Sequence, residues 1–252
     1  MNALRFKLSG KTACFRKPDV NTYAYFTYNN IHKPALLGLL GAIIGLGGYT
    51  QLFEKNRDLK QGDLGYDDGY PEFYEKLKHL KVSITPLAKN GYFSKKIQVF
   101  NNSVGYASFE QGNNLIVREQ WLENPAWQIM ILDDGSEEYK KIVNYLQESK
   151  AVYIPYLGKN DHPATIEEIN QVQLSKKNGE YIDSLFIKNF ENLDTWARES
   201  DPNPYFFQEI SPYALQKKYH FYEFEALVYT NYEIKNIPED TYSYDGKNYT
   251  FI

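Results

Sequence analysis

One cysteine, Cys14, is all the thiol chemistry in this chain of 252 residues, so no disulfide can form within it and a reducing, cytosolic setting is expected. Histidines stand only at 32, 79, 162 and 220, and none pairs with another or with Cys14 at zinc-ligand spacing. No Gly-Lys-Ser/Thr follows a glycine at phosphate-loop spacing. Glycines 45, 47 and 48 do not make Gly-x-Gly-x-x-Gly, and no Gly-x-Ser-x-Gly elbow appears. The paired acids Asp67-Asp68, Asp133-Asp134 and Glu167-Glu168 read as solvated faces or helix caps. These patterns require no cofactor, no metal and no catalysis. Residues 2–19 interleave Arg5, Lys7, Lys11, Arg16 and Lys17 with apolar positions, which is not the pattern of a secretory signal. The apolar run at 35–49 is 15 residues long, short of the roughly 20 that cross a bilayer. Its Gly41-xxx-Gly45 pair matches a transmembrane dimer motif, but the run is short and glycine-heavy, and no membrane partner is expected.

What is present is aromatic and unevenly charged. Aromatics make up 16% of the chain, with 23 tyrosines, which favour strands and offer flat faces for stacking. Residues 1–60 hold nine Lys and Arg against three acids, a balance of +6. The remainder, with nineteen bases and twenty-nine acids, carries −10. A basic section on an acidic body is either an electrostatic footprint for nucleic acid or a chance cluster on solvated faces.

The uncharged segment 34–49 has glycines at 38, 41, 45, 47 and 48. Each costs a helix about 1 kcal/mol relative to alanine, so another backbone, a sheet or a ligand must come close. Pro34 opens a helix expected to run to Leu46, with Gly47-Gly48 as its cap. Alternating Leu4, Phe6 and Leu8 mark a first strand, followed by an extended 11–16 and a Tyr- and Asn-rich loop at 19–30. Residues 54–70 read as an exposed loop, and 71–81 as a short helix with Phe73, Leu77 and Leu80 on one face. Strands are expected at 82–88, 95–101, 104–110, 114–121 and 127–133, with turns at Asn101-Asn102 and Gly112-Asn113. A helix at 136–149 is capped by Ser136, and a strand follows at 151–155. Further strands lie near 180–188 and 220–230, and Asp245-Gly246 turns a closing hairpin at 242–252. The whole reads as α+β with a mostly antiparallel sheet.

Four stretches carry a resemblance: Phe15-Arg16-Lys17-Pro18, the glycine-rich residues 37–49, Tyr156-Leu157-Gly158-Lys159-Asn160, and residues 124–131 (Asn-Pro-Ala-Trp-Gln-Ile-Met-Ile). In this order the chain resembles, over nearly its full length, the Cas-five family of CRISPR-associated RAMP proteins. The Tyr-Leu-Gly-Lys-Asn form is similar to the type I-B branch; Trp127 departs from it, standing where tyrosine is common. The resemblance implies a ferredoxin-like, RRM-type domain over 1–175 with a protruding β-hairpin thumb at about 92–124, and a smaller β-rich part over 176–252. It also implies a cytoplasmic role in antiviral defence: capping the 5′ handle of CRISPR RNA in the Cascade surveillance complex, beside the backbone Cas-seven subunit, the large subunit and target DNA.

Such a role requires cations for phosphates, aromatics for unstacked bases and close backbone approach. The residues offered for it are Arg16, Lys17 and Lys33; Gly41, Gly45, Gly48 and Tyr49; Lys95, Lys96, Arg118, Gln120 and Trp121 in the hairpin; and Lys159 and Asn160. Each also has a structural reading: helix packing for the glycines, cross-strand pairing in the hairpin and turn formation at 158–160. His162 reads as a loop residue. One branch of the family, subtype I-C, cleaves precursor RNA without metal, and Lys217-Lys218-Tyr219-His220 holds the residue types for that. Neighbours in a strand point to opposite faces, however, and type I-B systems use a separate Cas-six endonuclease, so a structural role for His220 and no catalysis are expected. A metal-independent endoribonuclease and a purely structural module are the alternatives.

Overall fold

The computed structural model describes residues 1–19, 23–101, 105, 109, 111, 115–177, 179–189 and 203–252. In chain order its elements are β1 (Asn2–Ser9), β2 (Thr12–Ala13), α1 (Lys33–Ile44), α2 (Tyr49–Lys55), α3 (Glu72–Leu77), β3 (Val82–Pro86), β4 (Lys95–Asn101), β5 (Ile116–Glu123), β6 (Ala126–Leu132) and α4 (Glu137–Gln147). Then come β7 (Thr165–Gln173), β8 (Ser175–Lys176), β9 (Phe186–Ile187), β10 (Phe206–Leu215), β11 (Tyr222–Thr230), β12 (Thr241–Tyr244) and β13 (Lys247–Thr250).

The central sheet has the order β3-β6-β1-β7, antiparallel throughout. With α1 after β1 and α4 after β6 this is the β-α-β-β-α-β arrangement of a ferredoxin-like domain. The alternation in β1 explains its place: Leu4, Phe6 and Leu8 are wholly buried against Ile131, Ile129 and Trp127 of β6 and the helices behind them. Ala3, on the opposite face, joins a smaller core of Met130, Leu132, Val172, Tyr249 and Phe251 under the closing hairpin. That hairpin turns at Asp245 and Gly246, both at positive φ (50° and 72°), as a two-residue turn requires. Beyond it, Ile252 exchanges backbone hydrogen bonds with Val82 and closes the free edge of β3.

Helix α1 is apolar almost all round because the sheet, α3 and α4 cover it. His32 caps its start, Nδ1 accepting from the Ala35 amide at 3.2 Å, and Pro34 occupies the first turn. Its end lies at Gly45 (φ 80°), two residues before the expected Gly47-Gly48 cap: Leu46 already bonds back to the Gly41 carbonyl. Gly47 and Gly48 instead lead into α2, whose last turn enters the segment 54–70 that the sequence pattern presents as loop. The expected strand at 151–155 is absent. The Val152 and Tyr153 amides go to the Ile43 and Ala42 carbonyls, so this segment straps the end of α1 and joins no sheet.

Strand β7 escapes the sequence pattern for a definable reason. Ile166, Ile169 and Val172 recur every third residue, which is no strand period. A bulge resets the parity: Arg5 pairs with Asn170 but Lys7 with Glu167, leaving Glu168 extra at φ 55°. Strand β10 likewise goes unsignalled, and near 180–188 only the two residues of β9 pair. The expected strand at 104–110 and both turns of the thumb fall largely on residues outside those described.

Candidate nucleic-acid interface

On the central sheet, the face turned from the helices offers few free groups. Arg5 donates from Nε to Gln128 and lies 3.7 Å from Glu168, and Lys7 pairs with Glu167 at 3.3 Å. The closing hairpin covers the rest of that face. The unneutralised cations gather instead at the root of the thumb.

Strands β4 and β5 pair from Lys95↔Leu122 to Asn101↔Ile116, so alternate residues share a face. One face carries Lys95, Arg118 and Gln120; the other carries Lys96 and Trp121 with Glu119 and Phe100. Along the outer edge of β5 runs β2 and then the Tyr-rich segment, whose Tyr25 amide donates to the Arg118 carbonyl at 2.9 Å and whose carbonyl accepts from Gln120 at 2.8 Å. This pairing brings residues 15–28 onto the hairpin.

The juxtaposition lays cations on rings. The Arg16 guanidinium sits 3.4 Å from the centre of the Tyr25 ring, Arg118 5.3 Å from Tyr23, Lys17 5.1 Å from Tyr28 and Lys95 4.9 Å from Tyr92. On the second face Lys96 lies 5.9 Å from Trp121. Such pairs average about one in 70–80 residues, so this concentration marks the thumb root as distinctive even in a tyrosine-rich chain. Arg16 is exposed and has no hydrogen-bond acceptor among the described residues. Stacking holds its fork flat with its donors facing outward. Lys17 and Lys95 flank Glu209, whose carboxylate accepts the Asn29 amide at 2.9 and 3.0 Å. Burial pushes the Glu209 carboxyl up, against the pull of both lysines. Burial also lowers the Lys95 ammonium, and Lys17 adds to that.

Other expected contacts have structural tasks. Lys159 reaches the two Glu119 oxygens at 2.9 and 2.8 Å, and Trp121 donates its Nε1–H to the same carboxylate at 3.0 Å. Burial raises the Glu119 carboxyl, but these hydrogen bonds outweigh it and hold the group below the usual range. Gly158 lies at φ 88°, where a Cβ would fall 2.0 Å from the Cys14 carbonyl oxygen, so only glycine fits. The Tyr-Leu-Gly-Lys motif thus seats Leu157 in the core, lets the chain cross Cys14 and delivers Lys159 to Glu119. Asn160 is exposed in the turn that follows. His162 is fully buried, its Nδ1 2.7 Å from the Thr12 hydroxyl and its ring edge-on to Trp121.

Lys33 is a correction. Its stem and ammonium are buried, the Nζ donating to the Ile252 main-chain oxygen at 3.1 Å beside the Tyr213 ring, so it adds no free cation to the surface. Gly41 and Gly45 are internal as well. A Cβ on Gly41 would meet the Phe73 Cβ at 2.6 Å, and one on Gly45 the Val152 side chain at 2.8 Å. Gly48 and Tyr49 belong to a separate groove of about 620 Å³ over α1. His220 stands in the β10–β11 turn at φ 55°, its ring 5.7 Å from Tyr49 and 5.3 Å from Tyr70. Tyr23, Tyr25 and Tyr28, the rings that position the cations, are visible in the sequence only as a tyrosine-rich loop; nothing local shows which cation each one meets.

A ferredoxin-like domain with a β-hairpin at its side and a β-rich C-terminal part is the class of architecture this chain defines. No protein-family model and no curated protein matches the sequence. Among solved structures, it is similar to a chain of a CRISPR RNA-guided surveillance complex, at 11% identity over 94% of each chain with a TM-score of 0.51. It also aligns with a CRISPR protein from Archaeoglobus fulgidus, at 12% identity over 99% of this chain and 98% of that one, with a TM-score of 0.46. At such identities the likeness is one of fold, and the fold is that of CRISPR-associated proteins.

Proposed function

We propose that this protein is a non-catalytic RNA-binding subunit of a type I, I-B-like, CRISPR surveillance complex in the cytoplasm, and that it caps the 5′ handle of the CRISPR RNA. The observation that carries the reading is the thumb root, where Arg16 lies on Tyr25, Arg118 on Tyr23, and Lys17 and Lys95 beside them. Cations held against rings suit a single strand, whose phosphates take the charge while its unstacked bases take the faces. The shared fold with a surveillance-complex chain supports the setting. In that setting the backbone Cas-seven subunit and the large subunit are the neighbours, with target DNA close by.

The test is to co-express the tagged chain with the proteins encoded beside it and a CRISPR array, and to sequence the RNA recovered. Short RNAs sharing one 5′ end, lost on joint charge reversal of Arg16, Lys17 and Arg118, are the expected result. An RNA-free monomer refutes the reading.

A further inference from the structure

The groove over α1 has a character opposite to the thumb root. Its floor is the outer side of the helix, Ala35, Gly38 and Ala42. Tyr49 and Phe73 form one wall, and Tyr153 and Tyr156 the other. No Lys, Arg, Asp or Glu lines it, in a chain that is 24% charged. The apolar surface continues past the rim: Ile154 is 82% exposed and Phe53 70%. The far wall is held in place, because the strap at 152–153 bonds through its amides to the last carbonyls of α1.

These features decide between occupants. A nucleic-acid strand places a phosphate at every nucleotide and here finds no cation to meet it. A small molecule filling the cavity leaves Ile154 and Phe53 bare to water. A contiguous apolar, tyrosine-rimmed and uncharged patch has the composition of a protein interface core. We infer that this groove is a docking site for an uncharged, apolar segment of a neighbouring subunit of the complex. The small side chains of the floor let that segment approach α1 closely, and the fixed wall spares it the entropy of ordering the site.

The inference rests on the complex membership proposed above, and the experiment separates the two. Ala42→Glu, Ala42→Lys and Ile154→Glu are co-expressed with the neighbouring gene products and a CRISPR array, and the subunits retained are weighed by native mass spectrometry. In parallel, handle RNA is titrated against each isolated variant. The Ile154 side chain is so exposed that its replacement does not threaten folding. Charge of either sign is expected to weaken retention of one partner subunit about tenfold, as loss of a central interface contact does. RNA affinity is expected to stay within about twofold, since the thumb root is untouched. Full retention in all three variants overturns the inference and leaves the function standing. Tighter RNA binding by Ala42→Lys with weaker binding by Ala42→Glu makes RNA the occupant and also overturns it. A wild-type homodimer that the variants split makes a second copy the occupant and overturns it likewise. A wild-type chain that assembles with nothing overturns both readings.

Discussion

Replacing Lys159 with methionine keeps most of the stem and removes the ammonium that bonds both oxygens of Glu119. The Glu119 side chain is 6% exposed and that of Lys159 29%, so the carboxylate is left behind in the protein while the lost partner had faced water in part. Removing one member of a fully buried pair costs about 3–5 kcal/mol. Trp121 still donates to Glu119 and Lys159 is partly solvated, which brings the expected loss to about 2–3 kcal/mol. For a chain of this length that lowers Tm by about 4–12 °C in a calorimetric or circular-dichroism melt. Adding Glu119→Gln removes the stranded charge and restores most of the loss, the sign of direct coupling. The pH dependence follows from the directions of the two shifts. The folded Glu119 carboxyl is depressed, so its contribution is present above the ordinary carboxylate pKa and disappears as pH falls through the folded value. The Lys159 ammonium is raised because Glu119 more than offsets its burial, so its share is present below the ordinary lysine pKa and disappears as pH climbs through the folded value. At neutral pH both are intact, and only the variant loses them. RNA affinity and its salt dependence should not change. A variant that melts like the wild type while its salt slope for RNA falls by about 0.7 would refute this account and return Lys159 to the RNA surface.

Three further outcomes follow from named contacts. Gly158→Ala places a methyl 2.0 Å from the Cys14 carbonyl oxygen at φ 88°, so it should destabilise by more than about 3 kcal/mol and show as insoluble or unfolded protein; a soluble variant with a wild-type melt would contradict the geometry. Gly41→Ala should cost about 1–3 kcal/mol through its clash with Phe73, whereas Gly38→Ala, whose nearest neighbour is 3.7 Å away, should gain about 0.5–1 kcal/mol of helix stability; urea melts of the two variants must move in opposite directions. Arg16→Ala should reduce the salt slope of RNA binding by about 0.7, and Arg16→Lys should restore the slope but not the affinity, because lysine lacks the planar fork laid on Tyr25; full recovery of affinity by lysine would show that only charge matters there.

The sequence alone determined the elements whose signals are local. Alternation in Leu4, Phe6 and Leu8 sets β1 in a buried sheet, Ser136 starts α4 by accepting the Tyr139 amide at 3.1 Å, and Asp245-Gly246 makes the only kind of turn a two-residue hairpin accepts. Arg16, Lys17 and Arg118 are identifiable as cations, and 34–49 as a backbone that something approaches. What approaches it is a tertiary fact. Phe73 on α3 and Val152 on the strap fill the space at Gly41 and Gly45, and neither position announces its partner. The end of α1 is ambiguous for the same reason: three glycines in four residues can each adopt a left-handed cap, and the strap from 152–153 selects the first. Strand β7 is hidden by a bulge that only its pairing with β1 reveals. Charge behaves likewise. Lys33, Lys159 and Arg16 are equivalent in a composition count, yet folding buries the first under Ile252, neutralises the second with Glu119 and leaves the third stacked on Tyr25 with its donors in water. Local pattern fixes which residues bear a charge or a ring. Which of them remain available is decided by long-range packing, because burial and pairing depend on residues far away along the chain.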